Sequence, residues 1–122
     1  MEARLLQDFV TVKGTPNTNI IQPIYGWLDL GPYEDVILYC DVREAPASSP
    51  PTMSYETAPS ANDASFVSML TSFNLTVGVQ TNVFTASLAN IPPARYLRWH
   101  ITPGPSNWDV TFRIWAALYR YA

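Results

Sequence analysis

The only histidine of the chain, His100, is the side chain best suited to general acid–base chemistry near neutral pH. A serine-hydrolase mechanism would need His100 as the base, Asp109 as the acid that orients it, and a serine as the nucleophile. The sequence has no Gly-x-Ser-x-Gly turn that would present such a serine. We therefore interpret His100 and Asp109 as a structural or interfacial pair and expect no enzymatic activity.

Four carboxylates on or beside one predicted strand, Glu34, Asp35, Asp41 and Glu44, have the chemistry of a calcium site or of a glycoside-hydrolase acid pair. Side chains alternate between the two faces of a strand, so Glu34 and Glu44 point away from the two aspartates. The four groups cannot converge without another strand. We interpret them as solvated residues and predict no metal site and no cofactor.

The single cysteine, Cys40, cannot form a disulfide within the chain. It shares its predicted strand face with Val36, Leu38 and Val42, which are all apolar. This pattern predicts a small buried hydrophobic residue and not a reactive thiol.

Composition limits the classes of partner. The chain has 122 residues, enough for one domain, and only 14% of them are charged. An average soluble protein has about 25% charged residues, and a surface this poor in charge is often covered in an assembly. The net charge of −3 argues against nucleic-acid binding. No apolar run approaches the ~20 residues of a membrane span, so we expect a protein made in the cytoplasm without a membrane partner.

The order of the elements predicts the fold. Eleven prolines and five glycines divide the chain into short segments, and no window of a dozen residues has helical periodicity. Seven or eight short strands in one chain of this length are typical of a two-sheet sandwich. We predict an all-β, antiparallel, jelly-roll-like β-sandwich formed by a single domain, residues 1–122. The β-prone segments are residues 4–12, 20–30, 33–44, 52–57, 66–70, 73–79, 82–88 (with Phe84, Ala86 and Leu88 on one face), 95–101 and 108–121.

The last segment, residues 108–121, predicts a strand with two chemically different faces. Its inner face is wholly apolar, and its outer face is too aromatic for a plain solvent-exposed surface. We predict a hairpin with residues 95–101 in which Ile101 lies opposite Trp108. This register places His100 across from Asp109 and Tyr96 across from Arg113. The predicted inner face is Trp108, Val110, Phe112, Ile114, Ala116 and Leu118, and the outer face is Asp109, Thr111, Arg113, Trp115, Ala117, Tyr119 and Tyr121.

The aromatic and guanidinium side chains of that hairpin are the predicted contact surface, because such rigid groups dominate protein interfaces. A sugar-binding platform is the alternative for the same aromatic rings and for Trp27, and protein contacts are favoured. The N-terminal segment, residues 1–19, is a second candidate. It forms either an ordinary edge strand or an arm that adds to a neighbour's sheet. The candidate interface residues are Tyr96, Arg98, Arg113, Trp115, Tyr119 and Tyr121, with Leu6 and Phe9 in the N-terminal segment.

Four segments together carry a resemblance to a known class of proteins. They are residues 27–42 (WLDLGPYEDVILYCDV), residues 55–59 (YETAP) leading to 63–66 (DASF), residues 93–99 (PARYLRW) and residues 108–113 (WDVTFR). Their composition and order resemble the small β-sandwich virion proteins of tailed bacteriophages, in particular capsid decoration or cement proteins. The similarity covers about half of the chain.

The resemblance implies a non-enzymatic protein that binds the outer surface of an assembled capsid, often as a trimer, and stabilises the shell. Its partners would be the major capsid protein and further copies of itself, and its location would be the virion surface. Residues 27–31 and 94–98 also resemble galactose-binding, discoidin-like jelly rolls. A carbohydrate-binding module, or a component of a tail adhesin, is therefore the alternative function.

Overall fold

The computed structural model of the protein describes residues 1–87 and 91–120, which form nine strands and two three-residue 3-10 turns. The strands belong to two antiparallel sheets, so the predicted all-β sandwich is confirmed. The number of strands is nine, where seven or eight were predicted, and residues 20–30 form two of them around a 3-10 turn at Ile24–Gly26. In chain order the strands are β1 (Glu2–Gly14), β2 (Ile20–Ile21), β3 (Leu28–Asp29), β4 (Asp35–Glu44), β5 (Thr52–Ala58), β6 (Val67–Asn74), β7 (Gly78–Phe84), β8 (Tyr96–Thr102) and β9 (Trp108–Tyr119).

The strand order is that of a jelly roll. One sheet has four strands in the order β1-β9-β4-β7, and the other has five, in the order β2-β8-β5-β6 with β3 also paired to β8. The short strands β2 and β3 follow each other in one sheet, and β5 and β6 form a hairpin. Each of the other connections crosses from one sheet to the other. With β2 and β3 sharing one edge position, this arrangement is the double-sheet jelly roll.

The core lies between the two sheets and follows the predicted alternation. All six predicted inner-face residues of β9 are buried, and so are Cys40 and its predicted neighbours on β4. The ring of Trp99 on β8 meets the ring of Phe112 on β9 edge to face, with centroids 5.2 Å apart. This contact crosses the sandwich from one sheet to the other.

The predicted hairpin between β8 and β9 is wrong. The two strands lie in different sheets, since β9 pairs with β1 and β4 while β8 pairs with β5, β2 and β3. The predicted pairs of His100 with Asp109 and of Tyr96 with Arg113 are therefore absent. Alternation determines which side chains of each strand point into the core. It does not determine whether two such strands lie side by side in one sheet or face each other across the core.

Strand boundaries in the middle of the chain also differ from the prediction. Residues 66–70 and 73–79 are predicted as two strands, but β6 runs from the first segment into the start of the second, and the chain turns between Asn74 and Gly78, where β7 begins. A register shift against β5 and a left-handed Leu70 (φ 61°) mark a bulge in β6, which interrupts the alternation there. Leu88, predicted to continue β7, lies outside the described residues.

The N-terminal segment forms an edge strand of its own sheet. β1 pairs with β9 from Glu2 to Gly14, with register shifts between Leu5 and Val10. Leu6 points into the core and is only 2% exposed. It supports the fold from inside, so its predicted place on a contact surface is wrong.

Candidate functional site

The outer face of the four-stranded sheet is the most apolar surface of the described chain. Trp115 on β9 lies between Leu5 on β1 and Tyr39 on β4, and one row further along Ala117 lies beside Ile37. β7 continues these rows with its own outward side chains. We call this surface the four-strand face. Its large exposed apolar residues are Leu5, Phe9, Tyr39, Val79, Val83, Trp115 and Tyr119.

The size of the four-strand face sets it apart from the scattered apolar residues of an ordinary surface. Each of the seven side chains is between 36% and 61% exposed. Together they present a few hundred Å² of exposed surface, which is within the range of the largest apolar patch on a typical monomer. In other proteins, patches of this size are often sites of association.

A small ionic cluster lies at one end of the face. Both carboxylate oxygens of Asp41 accept hydrogen bonds from the Arg43 Nε, at 3.0 and 3.1 Å, and Arg113 lies 4.0 Å from the same carboxylate. The two guanidinium groups also lie over the ring of Phe9, at 5.4 and 4.4 Å from its centroid. The hydrogen bond to Asp41 raises the pKa of Arg43. The negative charge of Asp41 is thus compensated within the face.

The sequence identified part of this surface. Arg113, Trp115, Tyr119 and Phe9 lie on it as predicted interface residues, whereas Tyr121 lies outside the described residues. The contributions of β4 and β7 were missed. Alternation on β4 did place Ile37 and Tyr39 outward, but a strand in isolation does not reveal that its outer residues continue the surface of β9.

Tyr96 and Arg98 were predicted to share this surface, and the structure places them on the other sheet. Arg98 is only 4% exposed. Its guanidinium donates to Glu56 at 2.7 Å and to Asp63 at 2.6 Å, and it lies 3.9 Å from the ring centroid of Phe66. A side chain held and covered in this way stabilises the five-stranded sheet and is not available to a partner.

His100 takes part in the same polar cluster. Its Nδ1 lies 2.9 Å from the Glu56 carboxylate, and its Nε2 lies 3.1 Å from the side-chain oxygen of Asn19. Both ring nitrogens are engaged, and the nearby Ser54 hydroxyl bonds to the His100 main-chain carbonyl instead of the ring. These contacts hold the imidazole in place between Glu56 and Asn19.

Cys40 and the acidic side chains are the remaining groups that could carry chemistry. Cys40 is fully buried, as predicted, and burial raises the pKa of its thiol to about 12. Its thiolate is therefore scarce at neutral pH. Within residues 1–87 and 91–120, no three His, Cys, Asp or Glu side chains are grouped so that they could hold a metal ion.

A second exposed apolar feature is the turn between β2 and β3. Ile21, Ile24 and Tyr25 all project into solvent there, and Tyr25 is 90% exposed. We call these three residues the turn apex. A pocket of about 230 Å³ opens beside it, lined in part by Val10 and Trp99. The apex and the pocket lie at the open side of the sandwich between β1 and β2.

In the part of the chain that the structure describes, no helix has the length and hydropathy needed to cross a membrane. Comparison with models of known protein families and with curated proteins finds no match.

Proposed function

We propose that this protein is a non-enzymatic virion structural protein that decorates the outer surface of a bacteriophage capsid and stabilises the shell. The observation that carries the proposal is the four-strand face, an apolar surface that spans all four strands of one sheet. Exposing apolar surface to water is unfavourable, and the largest apolar patch of a protein is often the place where a partner binds. The proposed partners are the major capsid protein and further copies of this chain.

The physical task of such a protein is to join neighbouring shell subunits. Each contact buries a modest area, but many copies bind one shell, so expansion or internal pressure must break many contacts together. The low charge of the chain suits this task, because few charged groups have to be desolvated at each contact. The jelly roll itself is compatible with the role, since the fold occurs in viral capsid proteins and in lectins alike.

A carbohydrate-binding module or tail adhesin is the second candidate, and the turn apex favours it. The exposed ring of Tyr25 stands beside a pocket lined by Trp99, and sugar rings stack on exposed aromatic faces. The protein surface offered for this function is much smaller than the four-strand face. We therefore rank it below the structural role.

Co-sedimentation separates the two functions. The purified protein is mixed with shells assembled from the major capsid protein of the same genome, and a parallel sample is applied to a glycan array. We expect the protein to pellet with the shells and to be absent from the array. A protein that stays in the supernatant while it binds glycans through Tyr25 contradicts the structural proposal.

Substitutions in the four-strand face test which surface carries the binding. Trp115→Ala and Arg113→Ala should weaken association more than they lower the free energy of unfolding, because both side chains are partly exposed on this face. Arg95→Ala is the matched control, since Arg95 is an exposed arginine at the start of the other sheet. Equal binding by all three variants would contradict a role for this face.

A further inference from the structure

We propose that the four-strand face is covered by a second copy of this chain, packed face to face about a two-fold axis. The inference rests on the proposed function, because it names one partner of the association surface. The axis runs parallel to the strands, between β9 and β4. The result is a dimer, in place of the trimer that the resemblance implies.

The area of the face is the first argument. Standard protein interfaces bury about 800 Å² on each partner, and the seven exposed apolar side chains here supply a substantial part of that area, to which their polar neighbours on the same face add. The axis between β9 and β4 is the midline of the sheet, given the order β1-β9-β4-β7. Rotation about it places β9 over β4 and β1 over β7, so all four strands of each copy are covered.

Charge complementarity is the second argument. In the sheet, Arg113 on β9 stands in the same row as Asp41 on β4. The proposed rotation places each Arg113 over the partner's Asp41, which also binds Arg43 of its own chain, so the two Arg113–Asp41 pairs across the interface have opposite signs. An isologous contact requires this kind of self-complementary surface.

The apolar rows match in the same way. Trp115 shares a row with Tyr39, so the rotation brings each indole over the partner's Tyr39 ring. The next row brings Ala117 over the partner's Ile37, a small side chain against a larger one. Sheets that pack face to face lie about 10 Å apart, which leaves room for two layers of such side chains.

Solution mass tests the proposal directly. We expect the wild-type protein to sediment as a dimer of about 27 kDa, which is twice the 13.6 kDa of one chain. Trp115→Asp should give a monomer that is still folded by circular dichroism. Arg95→Asp, which introduces an aspartate away from the face, should remain a dimer.

A pair of charge reversals tests the orientation. Arg113→Asp places two aspartates against two aspartates in a homodimer, and Asp41→Arg places arginines against arginines. Each variant alone should dissociate at least about 100-fold more readily than wild type, because like charges in an interface are strongly unfavourable. Mixed together, the two variants should form a heterodimer, since each contact then joins one aspartate to one arginine. No heterodimer from the folded variants would overturn the arrangement.

The shell experiment keeps this inference separate from the proposed function. A wild-type monomer that loses shell binding upon Trp115→Asp would overturn the dimer and support the shell as the occupant of the face. A dimer that never pellets with shells would support the inference and contradict the capsid role.

Discussion

Arg98 shows what alternation can and cannot reveal about a single residue. Its position in β8 correctly places the side chain on the outer side of the five-stranded sheet, because Leu97 and Trp99 on either side point into the core. The sequence does not show that the segment carrying Asp63 and Phe66 folds over this position. A charged side chain predicted at a contact surface is consequently buried within its own chain.

The burial of Arg98 leads to a prediction about stability. Arg98→Met should lower the free energy of unfolding by about 3 kcal/mol, since Glu56 would remain mostly buried with His100 as its one remaining partner in this cluster. Arg95→Met is the matched control, because the Arg95–Asp29 pair is exposed and such pairs contribute at most about 1 kcal/mol. Urea denaturation of both variants measures the difference. Equal losses would show that the Arg98 cluster is no more important than a surface ion pair.

At the scale of elements, β1 explains why the first dozen residues lack a clear pattern. The two register shifts between Leu5 and Val10 change which side chains face the core, so the period of two is interrupted. Leu5 and Leu6 are neighbours in sequence and in type, but they lie on opposite sides of the sheet. Residue types alone could not tell which of the two is buried.

This contrast predicts different effects for two otherwise identical substitutions. Leu6→Ala should cost about 2 to 4 kcal/mol of unfolding free energy, because it removes buried methyl groups from the core. Leu5→Ala should cost less than about 1 kcal/mol and should instead weaken association at the four-strand face. Chemical denaturation and sedimentation, run on both variants, separate the two effects. Similar stability losses would contradict the register of β1.

The beginning of β1 is also fixed by the titratable side chain of Glu2. A hydrogen bond from the Tyr33 hydroxyl, with a further one from Arg4, lowers the pKa of Glu2 below its usual value of 4.5. Because the pKa of Glu2 is lower in the folded state, this contact stabilises the fold above pH 4.5. The stabilisation is lost as the pH falls through the pKa of the folded state.

The lowered pKa of Glu2 determines the expected pH dependence of stability. The difference in urea midpoint between wild type and Glu2→Gln should be constant from neutral pH down to about 4.5 and should shrink below it. The measurement is a series of urea titrations of both proteins across this range. A difference that stays the same in acid would show that the carboxylate charge of Glu2 does not hold β1.

At the scale of the whole molecule, the fold class was predictable and the neighbour relations were not. Short alternating segments separated by prolines are sufficient to indicate a β-sandwich, and the buried face of β9 follows from the sequence alone. The jelly-roll order places β8 and β9 in different sheets, and this depends on contacts between strands far apart in sequence. The four-strand face is a product of that order, since it combines side chains of β1, β4, β7 and β9.

If a second copy covers the four-strand face, the turn apex is the largest remaining exposed apolar feature and should contact the shell. Tyr25→Ala should then reduce co-sedimentation with shells at least about tenfold, because an exposed aromatic anchor is lost, while the solution mass stays that of a dimer. Trp115→Asp should also reduce shell binding, but through loss of the dimer and of its paired contacts. Joining two Trp115→Asp chains by a flexible linker should restore part of that shell binding. Joining two Tyr25→Ala chains in the same way should restore none. Full shell binding by the Tyr25→Ala dimer would assign the shell contact to another surface.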